Sequence, residues 1–328
     1  MNRAAFLRLA CAAPLWLRHT AAGWGNDASN SRAKATSWLL DRQSPDGAWR
    51  SDTYGSFRDG RALTPVVLRA LPGGDAAAKA CRWLLENRDT LFDDYPVHLA
   101  SAVLEGSPRF PELAPLMKTA IARLVSLQCP GSGGWSYSPR PPADESAPMQ
   151  QANLSATAMA IDGLRAAGLP ADDPRLRKAM AFMRTCHNHA SGGPAFDDGG
   201  FFQLPDDPSR NKAGVAGTDR QGIRRHRSYA SATADGLRAL LLCGESPISP
   251  PAKAAAEWLR RFAGKTPPDL KYYTARSIAR TASLLPELDP IVPDLTTDQQ
   301  ADGSWRNPAG EMREDCAIVA TALALEAK

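Results

Sequence analysis

The sequence predicts an all-α fold, an array of about six helix pairs in two layers. Two observations carry this expectation. A turn pattern of Gln, then Gly, then an aromatic residue recurs behind amphipathic segments along the chain. Each copy tends to be followed by a second helical segment with a face of small residues.

The first copy runs from Trp38 through Gln43 and Gly47 to Trp49, and the last passes through Gln299 and Gly303 to Trp305. Both read Gln, three residues, Gly, one residue, Trp. A third copy, Gln128 to Gly134 and Trp135, has a longer turn. A fourth is degraded: Phe182-Met183 leads to Gly199-Gly200-Phe201 without a Gln. Trp83-Leu84-Leu85 and Trp258-Leu259 read as the helices of two more copies that have lost the turn.

The second helices are predicted around Leu63–Leu68, Leu154–Met159, Ala230–Leu237 and Ala317–Leu323, and less regularly around Val97–Ser101 and Tyr272–Arg276. Small residues let helices approach closely, so these form the expected inner layer. In the turn, Gly supplies backbone freedom that a Cβ would strain. The Trp packs against a neighbouring helix while its indole N–H finds a partner. The Gln amide can bond groups left open at helix ends. The motif residues are therefore structural.

The Gln-x-x-x-Gly-x-Trp signature resembles the QW motif of squalene-hopene and oxidosqualene cyclases. Related helix pairs build the β subunits of protein prenyltransferases. The resemblance covers roughly residues 30–328. It implies a single α/α toroid, with outer helices around inner ones and an apolar central cavity. The length suits one toroid and not the double toroid of a full triterpene cyclase.

The chain has 328 residues, 43% of them apolar, and a net charge of +4, too small to argue for nucleic-acid binding. The basic run Arg224-Arg225-His226-Arg227 reads as a solvated loop. No apolar run reaches the ~18–20 residues that cross a bilayer. Residues 1–25 read as an export signal: a basic start, an apolar run from Leu9 to Leu17, then Ala21, Ala22 and Gly23. They resemble a twin-arginine signal at Arg3, Phe6, Leu7 and Arg8, but Ala4 replaces the second arginine. Six scattered cysteines form no CxxC pair and are expected to be free, mostly buried thiols.

The catalytic motifs that the resemblance would bring are missing. Class II cyclases protonate an alkene with an Asp in DxDD or DCTAE, kept protonated in an apolar pocket. The nearest sequence is Glu314-Asp315-Cys316-Ala317, which makes Asp315 a candidate acid. Asp162 and Asp235, each on an inner helix before Gly and Leu, are the others. His98, Tyr272 and Tyr273 are secondary candidates. The prenyltransferase zinc set fails, because Asp315 and Cys316 are adjacent and no His follows. Asp93-Asp94 lacks the third carboxylate of DDxxD.

Cys186-His187-Asn188-His189, with Asp197-Asp198 and Asp206-Asp207, sits in a long irregular loop around 186–228. Spacing there sets no clear metal-ligand group, and no cofactor motif is recognised. The residues favour a toroid that lacks the family's catalytic motifs and binds an isoprenoid, another apolar small molecule or a protein segment in its cavity. One alternative is an isoprenoid cyclase or prenyl transferase with non-standard active residues. Another is a structural interaction domain.

Overall fold

A computed structural model of the chain describes residues 26–147, 149–190, 192–205, 207–265, 270–310 and 312–327. The expected export signal, residues 1–25, therefore lies outside the described residues. Among them, eleven α-helices follow one another: α1 Asn26–Leu40, α2 Thr64–Ala70, α3 Asp75–Glu86, α4 Pro96–Gly106, α5 Ala114–Leu127, α6 Leu154–Ala166, α7 Pro174–Thr185, α8 Ala230–Leu242, α9 Pro250–Phe262, α10 Lys271–Ala282 and α11 Ala317–Glu326. None of these helices is long and apolar enough to cross a membrane.

The chain forms an all-α toroid. Helices α2, α4, α6, α8, α10 and α11 make the inner ring, each packed on the next, and α11 returns to α2. Outside them stand α1, α3, α5, α7 and α9, with the short 3-10 segments Pro286–Ile291 and Thr296–Asp298 in the sixth outer place. The first outer helix, α1, packs on the last inner helix, so the two chain ends close the ring.

Sequence decides which layer a helix joins. Helix α8 is buried without a break from Ala230 to Leu240, its small and apolar residues packing on every side and its two charged residues, Asp235 and Arg238, buried with them. Helix α3 buries Ala77, Ala80, Cys81, Trp83 and Leu84 and leaves Arg82 and Glu86 in water, a one-sided stripe with helical spacing. Gly163 sets the α4–α6 approach, because a Cβ there would lie 2.8 Å from the Ser101 Cα. Connections from inner to outer helices are short, as at 71–74 and 167–173. Those from outer to inner are long, as at 41–63, 128–153, 186–229 and 299–316. The N-terminal ends of the inner helices thus share a long-loop end of the toroid, and their C-terminal ends a short-loop end.

The Gln–Gly–aromatic turns join neighbours around the ring. Gln43 Nε2 donates to the Gly47 carbonyl at 2.9 Å and to Ala76 of α3 at 2.8 Å. Gln128 does the same with Gly133 and Arg175 of α7, and Gln299 with Gly303 and Ser31 of α1. The indole N–H groups of Trp49, Trp135 and Trp305 donate to the carbonyls of Leu39, Leu124 and Leu295 at 2.7–2.8 Å. Their backbone N–H groups donate to Thr64, Thr157 and Thr321 of the following inner helix. Gly47, at φ +101°, lies so close to α3 that a Cβ would come within 2.6 Å of the Lys79 carbonyl. In the longer turn the left-handed residue is Gly133, at φ +80°, and Gly134 instead packs beneath Phe182 and Thr157.

The degraded copy keeps the same geometry. His187 stands where Gln stands elsewhere, its Nε2 donating to the Gly199 carbonyl at 3.0 Å. Phe201 replaces Trp and stacks face to face on His187, with centroids 3.9 Å apart. Its backbone N–H donates to Thr233 of α8 at 3.0 Å. The stretch after it is not wholly irregular: β1, Val215–Thr218, and β2, Arg224–His226, form an antiparallel hairpin.

Candidate functional site

The axis of the ring is occupied by charge. Each inner helix places an ionic side chain toward its C-terminal end, Arg69 on α2, Glu105 on α4, Asp162 on α6, Arg238 on α8, Arg280 on α10 and Glu326 on α11, and Asp235 and Arg276 add to them from the middle of α8 and α10. Opposite charges alternate around the layer. Arg69 meets Glu105 at 3.3 Å and Glu326 at 2.9 Å. Arg276 meets Glu326 at 2.9 Å, and Arg280 meets Glu105 at 2.8 Å and Asp162 at 3.2 Å. Arg238 closes the set between Asp162 and Asp235, 2.9 Å from an oxygen of each.

Asp162, Asp235 and Arg238 are at most 4% exposed. Burial alone would raise the Asp162 carboxyl, but Arg238, Arg280 and Arg276 outweigh it and hold it down at about 2. Burial likewise opposes the charge on Glu326, and Arg276 and Arg69 again hold it at about 2. Burial works against the Arg238 charge too, and Asp162 and Asp235 reverse the effect, raising it above its ordinary value. Buried ion pairs add little net stability over apolar packing, but losing one partner is costly. The layer therefore fixes which helices face one another and holds Asp162 and Glu326 as anions.

Above this layer, toward the long-loop end, the same helix faces change character. Seven residues, or two turns, before Glu105, Asp162, Arg238, Arg280 and Glu326 stand His98, Ser155, Ser231, Tyr273 and Val319. One turn before Arg69 and Asp162 stand Val66 and Met159. His98, Val66 and Met159 are half-buried on these faces, as is Tyr137. His98 stacks on Tyr137 at 5.3 Å. Burial, with help from Arg69 and Arg276, lowers His98 to about 4, so its imidazole is neutral at pH 7. Gln203 accepts from Ser155 Oγ and Tyr229 OH, both at 3.0 Å, and donates to Asn153. Tyr273 OH donates to Asp235 at 2.7 Å, and burial drives the phenol's pKa well above its usual range.

On the other side of the layer a cavity of about 900 Å³ opens at the short-loop end. Arg69, Arg238, Arg280, Glu105, Asp162 and Glu326 belong to its lining, as do the further arginines Arg32, Arg109 and Arg165. Leu241, Leu242, Leu284 and Leu325 supply apolar wall.

The three carboxylates singled out from the sequence are not one cluster. Asp162 and Asp235 share Arg238, whereas Asp315, at the start of α11, accepts from Tyr54 OH at 2.6 Å. No bond or ion pair links it to the axial layer among the described residues. Glu314 beside it is fully buried. Burial raises its pKa, and it accepts from the Tyr273 backbone N–H at 2.7 Å and from Asn307, capping α10. Tyr272 is packed, and burial raises its phenol to about 12. Asp94 pairs with Arg61 in an exposed turn.

Among the described residues no group of three or more His, Cys, Asp or Glu side chains is placed to hold a metal ion. His187 is held by Gly199 and Phe201, and burial lowers it to about 4. Asn188 bonds the His226 carbonyl and Ser228. Among the described residues Cys81, Cys129, Cys186, Cys243 and Cys316 are thiols outside any disulfide. Burial pushes Cys81 and Cys243 up to about 12 and Cys129 up to about 11, far from a reactive thiolate. Sequence reading missed Arg69, Glu105, Arg238, Arg276, Arg280 and Glu326. The available signal was a charged residue near the end of each small-residue helix.

No protein-family model and no curated protein matches the chain. Its fold is similar to that of a type II terpene cyclase, MstE from Scytonema, solved with merosterolic acid A: TM-score 0.54, 15% identity, over 92% of this chain and 96% of that one. Another form of the enzyme, in complex with geranylgeranyl dihydroxybenzoate, gives TM-score 0.52 at 15% identity over the same shares. An inactive variant of the GH76A α-1,6-mannanase of Salegentibacter sp. HEL1_6, in complex with α-1,6-mannotriose, gives TM-score 0.58 at 12% identity, over 91% of this chain and 98% of that one. At these identities the likeness is one of fold alone, an α/α toroid seen in both the terpene cyclase and the mannanase.

Proposed function

We propose that this chain is a non-catalytic toroid that binds an isoprenoid or another apolar small molecule in the space above the ionic layer. The observation that supports the reading most directly is the pairing of every carboxylate of that layer with an arginine. Alkene protonation needs a carboxylic acid kept neutral by an apolar pocket. Asp162 is held far on the anionic side, and Asp235 is engaged by Arg238 and Tyr273. Val66, Met159 and Val319 of the inner helices, with the His98–Tyr137 stack, are the side chains that would offer an apolar guest contact. The order of basic, apolar and small residues over 1–23 supports placing the mature chain outside the cytoplasm.

Native mass spectrometry of the mature protein, with organic extraction and added squalene, tests this. The expected result is a co-purifying apolar molecule or uptake of squalene without product. A cyclised product that disappears in Asp235→Asn would make the chain an enzyme. A clean apo mass with no uptake would move the weight to a protein partner.

A further inference from the structure

We infer that the short-loop cavity is an anion site, which takes a small molecule carrying two or more phosphate or carboxylate groups. The argument is one of charge left over. Six arginines line the cavity against the four carboxylates Glu105, Asp162, Glu245 and Glu326. All four acids are already paired: three within the axial layer, and Glu245 with Arg184 at 2.9 Å. Arg109 and Arg165 have no carboxylate within ion-pair distance among the described residues. Each is anchored by a backbone carbonyl, Arg109 to Leu71 at the end of α2 and Arg165 to Leu169 beyond α6. One carbonyl uses part of a guanidinium with five N–H donors, which leaves further donors on each of these cavity-lining side chains.

Arg32 lines the same cavity and donates to Leu325 at the end of α11. Three helix ends thus each carry a guanidinium around one opening. Burial makes the charge on Arg109 harder to keep; Glu326 offsets part of this, and the neighbouring Arg32 and Arg69 add to it. A bound anion would relieve that cost, and a divalent or larger anion could bridge two of the guanidinium groups. This site is separate from the space above the ionic layer, so squalene uptake and anion binding can each fail alone.

Calorimetric titration of the mature chain at low salt, with inorganic pyrophosphate and with citrate as probes, tests the inference. Saturable binding of either probe is expected, and the stronger one identifies the preferred anion. Each guanidinium removed in Arg109→Gln and Arg165→Gln is expected to weaken binding by roughly tenfold. Arg123→Gln, which removes an exposed arginine of α5 that donates to Pro139, should change nothing. Absence of heat with both probes, or equal affinity in the double variant, overturns the site. Should the double variant not fold, protection of Arg109 and Arg165 from phenylglyoxal by pyrophosphate, mapped on peptides of the wild type, decides instead. Equal modification with and without the probe also overturns it.

Discussion

Arg238 of α8 meets Asp162 of α6 in a two-pronged contact, Nε at 3.0 Å and Nη2 at 2.9 Å, with both side chains buried. The fork geometry fixes the rotation of the two helices about each other. It also sets the cost of disturbing the axis.

Asp162→Asn leaves Arg238 with Asp235 alone and takes a partner from Arg280. Breaking a buried pair from one side costs about 3–5 kcal/mol. Urea denaturation should show a loss of that order, with no change in slope. The triple variant Asp162→Leu, Asp235→Leu, Arg238→Met removes the charges together and is expected to regain most of the loss. Equal stability of Asp162→Asn and wild type would mean the layer is solvated.

Acid should act in two stages. His98 is lowered to about 4 in the fold, below its usual ~6.5. A lowered imidazole contributes stability that is complete above the unfolded value and is lost as pH falls through the folded one. Stability should therefore decline between about pH 6.5 and 4. Asp162 and Glu326, held at about 2, keep their contribution above their unfolded values near 4 and lose it as pH falls toward 2. Helical circular dichroism in urea, followed from pH 7 to 2, measures both stages. His98→Gln should shrink the first without abolishing it, because His187 is lowered to about 4 as well, and should spare the second.

One turn clamps α1 at the closure of the ring. Gln299 and Gly303 dock on α1, and a Cβ on Gly303, at φ +94°, would lie 2.8 Å from the Lys34 carbonyl. Gly303→Ala is expected to cost about 1–3 kcal/mol through strain and the forced retreat of α1. Hydrogen exchange should show the loosening first in α1 and α11. Uniform loss across all helices would mean that closure is not a separate event.

His187→Gln should be tolerated, within about 1 kcal/mol, because it restores the amide used at Gln43, Gln128 and Gln299. His187→Ala removes the donor to Gly199 and the stack on Phe201, and should cost about 2 kcal/mol. Thermal melts of the two variants separate this structural role from a metal-binding one, in which Gln and Ala would be equally damaging in the presence of zinc.

The sequence by itself determined the helical layers and their turns. Their signals are local: Gln43, Gly47 and Trp49 act within a few residues of one another, and the small-residue faces of α6 and α8 repeat at helical spacing. It also exposed Asp162 and Asp235 as odd charges on such faces. What they pair with was not legible. Arg69 and Glu326 are brought together across nearly the whole chain, and Arg238 reaches Asp162 from the next inner helix. Such partners depend on ring closure and on helix rotation, which no local pattern encodes. His187 was legible only as a histidine beside other possible ligands. Its place as the missing Gln emerged from the backbone geometry of the turn, because a hydrogen-bond donor in the right position matters there more than the residue that supplies it.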